Sequence, residues 1–512
     1  MDDSSCQPPC LAQGTNTHRY GRSLLAIGLL HCSSVFVQDS KDLGIQLAGN
    51  PPIQVIQREA PPLPEVDGDF EVREGFVLID SLDAFRQVIK KDNQKIRMQP
   101  GIYRASRVDP PVTFRALRAS EGEPATTQEQ IFAVTGSNNH FDLRGAIFET
   151  PVSVQDTLTR KTHMADSWRI AGSDNVFEGG YFRNVVDMEY LSYHNASNEF
   201  EVVNDNNTFL DCNFVIKGSK PYGYSDFYGK GRESYTKLGK HSFMSIEDAN
   251  GTEVIGCQIY NQSFGHAIHM HKVDGVLIQG CLITGALRPT NDIFKEKVGL
   301  ARENDFSILY RGKRPIPRDE MIPLTEDAVR SYNDVRNVVV LDTVVERQRG
   351  CFQLLCTGDI RLENVTVREC GDFCFDLSSG KLGKVVMKNC FADLAYNPVF
   401  NLSRGELPTE ALYEVTILSP MEGVTPTRRS SLGVICGDRS TFILRDGTTR
   451  PLPKEANRLI CGGKQPLVDC VVTNYTKATL ILEKNVENCV IQSVGPVIGQ
   501  GKNNKVTKIE AE

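Results

Sequence analysis

Four of the nine histidines fall within 31 residues: His241, then His266, His269 and His271 in Gly265-His266-Ala267-Ile268-His269-Met270-His271. An imidazole titrates near neutral pH and can give or take a proton, so such a concentration suits acid–base chemistry. Glu247 closes a similar strand, Phe243-Met244-Ser245-Ile246-Glu247. Superimposing Gly251 on Gly275 sets Ser245 beside His269 and Glu247 beside His271. Met244, Ile246, Ile268 and Met270 then share the opposite face, as strand alternation requires. The next rungs are expected to add Ser331, Asn333 and Gln353 to the polar file.

An acid beside imidazoles serves β-elimination from a uronic-acid polymer. That reaction neutralises the sugar carboxylate, removes the C5 proton and protonates the leaving oxygen. His271 oriented by Glu247 is the expected base, with a loop Tyr or His269 as acid. Arg311 or Lys240 would hold the carboxylate, a task that bound Ca2+ could also perform. Hydrolysis or glycan transfer asks instead for two carboxylates about 5 to 9 Å apart. Glu247 with Asp226, Asp248 or Asp305 is the combination available. Metal ligation by Glu247, His269 and His271 is disfavoured, because side chains two apart on a strand lie about 7 Å apart. The bland alternative is a hydrophilic outer face on a glycan-binding or cell-surface structural protein.

These residues need an element that stacks distant stretches of chain. A recurring phrase supplies it: Asp211-Cys212-Asn213-Phe214, Gly256-Cys257-Gln258-Ile259, Gly280-Cys281-Leu282-Ile283, Asn389-Cys390-Phe391-Ala392, Asp469-Cys470-Val471-Val472 and Asn488-Cys489-Val490-Ile491. Each follows a short apolar strand, and neighbouring copies lie 24 (Gly251 to Gly275) or 22 (Asn337 to Asp359) residues apart. Short strands repeating at that period describe a solenoid. At least six of the fifteen cysteines share one repeat position and read as a buried ladder of small side chains; zinc spacing is lacking.

Two departures from the repeat, about 217–240 and 288–330, flank the histidine rungs and are rich in Tyr, Lys and Arg. Loops of that size are usually functional. Aromatic faces stack on sugars, and Lys and Arg match carboxylate or sulfate. Lys240, His241, Tyr228, Lys230, Tyr310, Arg311, Asn333 and Gln353 are the expected substrate contacts, beside catalytic His271, His269 and Glu247. A third irregular stretch, about 404–465, is expected to interrupt the rungs.

Upstream, Arg19 and Arg22 precede Leu24-Leu25-Ala26-Ile27-Gly28-Leu29-Leu30, the order of a secretory signal. Residues 1–38 are thus an expected export leader, and 39–66, with Pro51-Pro52 and Pro61-Pro62-Leu63-Pro64, an extended linker. Asp80 or Ser81 can cap a helix that presents Leu82, Phe85, Val88 and Ile89 on one face and could cover the open end of a coil. This helix, then Lys95-Ile96-Arg97-Met98-Gln99-Pro100-Gly101-Ile102-Tyr103, then irregular rungs with Asn-Asn and Asn-Gly turns, resembles the right-handed parallel β-helix superfamily that includes pectate lyases, over about residues 68–510. The resemblance implies an all-β solenoid over residues 67–512 and a carbohydrate-active lyase, hydrolase, epimerase or transferase, or else a tailspike or adhesin. It implies a secreted, periplasmic or cell-surface location and a polysaccharide partner. The net charge of −7 gives no overall pull toward nucleic acid, and no other apolar run is long enough to cross a membrane.

Overall fold

The structure, a computed structural model, describes residues 50–66, 70–114, 126–159, 166–188, 197–219, 222–228, 239–309, 312–380, 383–427, 429–454, 456–499 and 501–511. The expected leader, and with it part of the linker, lies outside them. Short strands stack rung upon rung into a right-handed parallel β-helix, with one sheet of fourteen strands and another of twenty-three. Turn chemistry sets the coil. The residue that opens each recurring phrase adopts left-handed backbone, as do Asp342 and Asn364 at the same place on rungs that lack the cysteine: Asp211, Gly256, Gly280, Asp342, Asn364, Asn389, Asp469 and Asn488 have φ between 51° and 65°. Gly, Asn and Asp bear that conformation at least cost.

The residue after each turn points inward. Cys212, Cys257 and Cys281 stack on successive rungs, their thiols donating to the Phe177, Phe209 and Val254 carbonyls at 3.3–3.4 Å. All twelve described cysteines are buried and unbridged. Aromatic files fill the N-terminal rungs, where Phe148, Phe182 and Phe214 stack at 5.2 Å intervals around Trp168. Ser81 accepts the Ala84 N–H at the start of the helix Leu82–Val88, and Phe85 packs against Phe141, Phe148 and Trp168.

Within the fourteen-stranded sheet the first expected register holds: Ser245 pairs with His269 and Glu247 with His271. The next rung differs by one residue. His269 pairs with Arg330, Met270 with Ser331 and His271 with Tyr332, so Arg330 and Tyr332 face outward where Ser331 and Asn333 were expected. The cause is a corner one residue longer. The offset is 61 residues in this sheet (His269 to Arg330) but 62 in the next (Val276 to Val338). Asn333 and Asp334, both left-handed (φ 42° and 33°), absorb the extra residue. Ser331 points inward, its Oγ accepting the Leu355 N–H at 2.7 Å. The following corner restores the count, and Gln353 faces outward beside Arg330 as expected.

Residues 404–465 do not interrupt the coil. Leu412–Leu418, Thr441–Gly447 and Val471–Asn474 pair in parallel, and a period of 29–30 residues had hidden the repeat. Residues 50–66 are extended yet packed: Ile56–Gln57 pairs antiparallel with Ala286–Leu287, and Arg58 Nε meets Glu346 at 2.7 Å. Ile53 and Val55 are buried with Tyr222, Tyr224, Tyr228, Ile293, Ile316 and Ile322, a second core built from this segment and the two long excursions.

Candidate functional site

Gly265 lets the histidine rung approach its neighbour; a β-carbon there would sit 2.3 Å from the His241 carbonyl oxygen. The three histidines that follow leave the sheet on its outer side, but only His271 is half-buried, whereas His266 and His269 are covered. Asn198 Oδ1 lies 3.1 Å from His269 Nε2, while His269 Nδ1 has no partner. Burial, reinforced by His266 and His271, holds the His269 imidazole neutral, far below its ordinary pKa. His271 is also lowered, by burial and then Lys272, and its ring stacks on Tyr332 at 4.8 Å and 12°. Glu247 is half-buried and pushed up by burial and Asp248; among the described residues it makes no hydrogen bond to His271.

The other expected contacts divide. Lys240 Nζ is 2.7 Å from Glu326 Oε1 and lies over the Phe264 ring. Gln353 Nε2 donates to Asp376 at 2.8 Å. His241 is not at the surface: it is buried beside Ser197 (2.9 Å), Glu199 (3.3 Å) and Gln155 (3.3 Å). Tyr228, expected to stack on sugar, is 1% exposed, because the apolar faces of the excursions turn inward to form the second core. Asn333 stands at the corner described above. Lys230, Tyr310 and Arg311 lie outside the described residues.

One to three rungs beyond the histidines, the excursions and the sheet enclose a cleft of about 300 Å³. Asp226, Asp327, Arg330, Tyr332, Arg349, Gln353, Asp372, Arg404 and Arg429 line it. Glu326, Arg349 and Asp372 are stacked on successive rungs, with backbone bonds of 3.1 and 2.6 Å joining them. Arg349 reaches Asp226 and Asp327 at 3.4 Å and Glu326 at 3.5 Å. Arg429 stands 3.5 Å from Asp372, and Arg404 3.8 Å from Asp376.

Exposure sorts these charges. The Arg404 and Arg429 side chains are 52% and 44% exposed, whereas Asp327 and Glu326 are at 1%. Arg404 and Arg429 therefore stand at the mouth, Arg429 beside an Asp372 that is itself 29% exposed, while Arg349 lies deeper among Asp226, Asp327 and Glu326. Burial pushes Asp372 up and raises Asp376 to about 6. Such an arrangement receives an anion at the rim and offers proton donors and acceptors beneath it. Among the described residues no three or more His, Cys, Asp or Glu side chains cluster as metal ligands would. Arg330 and Tyr332 escaped the sequence reading, which set their rung one residue out, and the Val329 and Ser331 alternation was the signal available. Arg349 and Asp372 stand just before the strands of the next two rungs and were not singled out.

No family model matches this chain, and no curated protein matches it in sequence. Among solved structures it is similar to the surface adhesin PfbA of Streptococcus pneumoniae, at 9% identity over 84% of this chain and 87% of that one (TM-score 0.38). An alginate lyase in complex with a trisaccharide matches at 11% identity over 83% and 87% (TM-score 0.39). A polygalacturonase of Erwinia carotovora ssp. carotovora matches at 9% over 88% and 95% (TM-score 0.31). What these share with the chain is the right-handed parallel β-helix.

Proposed function

We propose that the cleft binds an anionic polysaccharide and cleaves it by β-elimination. The observation that carries this reading is the ordering of charge, with exposed Arg404 and Arg429 at the mouth and buried Asp327 and Glu326 beneath. A uronate carboxylate approaching the sheet meets guanidinium groups that can neutralise it, which is what makes the C5 proton removable. Arg330 lines the cleft on the side of the histidine rung, paired across the sheet with His269. His271, half-buried and kept neutral by burial and Lys272, is the base. An export-like leader fits a polymer met outside the cell.

Hydrolysis is the second reading, and Asp372 favours it. Its carboxyl is raised by burial, as a general acid requires, and Asp327 lines the same cleft from a strand two rungs away, about 10 Å. That is near the wider separation used by inverting hydrolases.

The test is to incubate the full-length protein with polygalacturonate, alginate, chondroitin sulfate and heparan sulfate. Reducing ends and near-ultraviolet absorbance are followed together. Elimination gives both signals, and hydrolysis gives reducing ends alone. Retention on one polymer without cleavage assigns a binding protein, and neither retention nor cleavage removes the reading.

A further inference from the structure

One tyrosine in the cleft has its hydrogen placed by its neighbours. The Asp327 backbone N–H lies 3.2 Å from His266 Nδ1. A backbone amide can only donate, so Nδ1 must present its lone pair, and a neutral imidazole then carries its hydrogen on Nε2. A proton on Nδ1 would face the amide hydrogen, and the Asp327 carboxylate, at 3.7 Å, is too far to accept it. Burial keeps His266 neutral, lowering it to about 4 against the pull of Glu326 and Asp327, with Lys240 and Arg349 adding to the effect.

His266 Nε2 lies 2.8 Å from Tyr332 Oη and 3.3 Å from Glu326 Oε2. The tyrosine stands at ordinary hydrogen-bond distance and the Glu326 oxygen 0.5 Å farther, so the Nε2 hydrogen is directed to the tyrosine. The phenol oxygen therefore accepts from His266 and must donate its own hydrogen elsewhere. Among the described residues it has no second partner, and Tyr332 lines the cleft. The ring is fixed on several sides. His271 stacks on it at 4.8 Å, His269 meets it edge-on at 6.3 Å, and the Arg330 guanidinium stands 4.7 Å from its centroid. Such support is what a group needs to act from a constant position.

We propose that Tyr332 is the catalytic proton donor, its O–H aimed into the cleft at the leaving glycosidic oxygen, and that His266 is the residue that positions it. The inference rests on the elimination reading above and supplies its acid. As the C4–O bond breaks, its electron pair stays on the leaving oxygen, which takes the phenol proton. The C5 proton goes to His271, and the electrons of the C5–H bond form the C4=C5 double bond. The phenolate is held by the His266 Nε2–H and by Arg330. It regains a proton from water once the product leaves, while His271 loses one.

The experiment pairs kinetics with ¹⁵N NMR of the full-length protein. With the uronate polymer that the wild type cleaves, Tyr332→Phe is expected to lose about 10²- to 10⁴-fold in kcat with KM within a few-fold, because only the hydroxyl is removed. The His266 ring is expected to show a hydrogen on Nε2 and an unprotonated Nδ1, unchanged from pH 8 to pH 5. His266→Gln, which can still offer an N–H, should retain more kcat than His266→Ala. A Tyr332→Phe enzyme within ten-fold of wild type, or a hydrogen on Nδ1, overturns the assignment while leaving the cleft's function standing. If the wild type cleaves none of the four polymers, the elimination reading fails first and this proposal falls with it.

Discussion

Asp376 illustrates how a single carboxyl can be tuned by a solenoid. It stands on the outer face beside Gln353, fully buried, with Oδ1 unpartnered; the Gln353 amide and the charges of Arg404 and Arg330 offset its burial in part. Burial lifts it to about 6 from an ordinary 3.8. A raised acid stabilises the fold fully below its unfolded pKa, and that contribution is lost as pH rises through the folded value. Two pKa units correspond to about 3 kcal/mol. The stability advantage of Asp376→Asn over wild type should therefore be larger at pH 7 than at pH 4 by up to that amount. Chemical denaturation at the two pH values measures the gap, and a gap that ignores pH refutes the account. His271 offers a complementary test. Its ring is half-buried outside the coil, so His271→Ala should cost only the stacking on Tyr332, about 1 kcal/mol, while lowering turnover about 100-fold or more. Unimpaired turnover would remove His271 as the base.

Rungs were legible in the sequence where one ruler served both sheets. Gly251 and Gly275 are both left-handed turns, and the 24-residue step between them holds in each sheet, so Glu247 and His271 could be paired from spacing alone. The ruler failed at the next rung, because the corner holding Asn333 and Asp334 takes up one more residue than its neighbour. A one-residue slip exchanges the two faces of a strand, which hid Arg330 and Tyr332 and offered Asn333 in their place. The long excursions were misread for a different reason. Tyrosine fits a sugar platform and a small core equally well, and Tyr222, Tyr224 and Tyr228 fill a core. At this scale Gly265 is the sharpest constraint. Gly265→Ala would drive a methyl into the His241 carbonyl, at about 1–3 kcal/mol, and shift the rung bearing His266. Thermal unfolding and turnover should both suffer. Gly275→Ala, whose nearest neighbour is 3.7 Å away, meets no clash and only its left-handed φ of 81° opposes it. Equal losses at the two positions would contradict the steric argument.

In the whole molecule, the cleft is assembled across two separate hydrophobic cores. Its floor belongs to the coil, where the strands Val329–Tyr332 and Gly350–Leu355 are each paired on both sides. Its wall, including Asp226, Phe227 and Ile322, belongs to the second core, which residues 50–57 complete with Ile53 and Val55. Replacing both by Ala removes buried methyl and methylene groups, at about 2–5 kcal/mol for the isoleucine alone. The two cores form separate hydrophobic clusters, so that loss should be confined to the wall. Amide exchange in the double variant is expected to accelerate over residues 222–228 and 286–324 and to stay at wild-type rates in the strands Ser242–Glu247 and Gly350–Leu355. Substrate affinity should fall with the wall while Tyr332 and His266 keep their places on the sheet, so KM should rise more than kcat falls. Uniform acceleration along the chain would mean that the segment stabilises the coil itself, and the wall would then have no independent role in shaping the cleft.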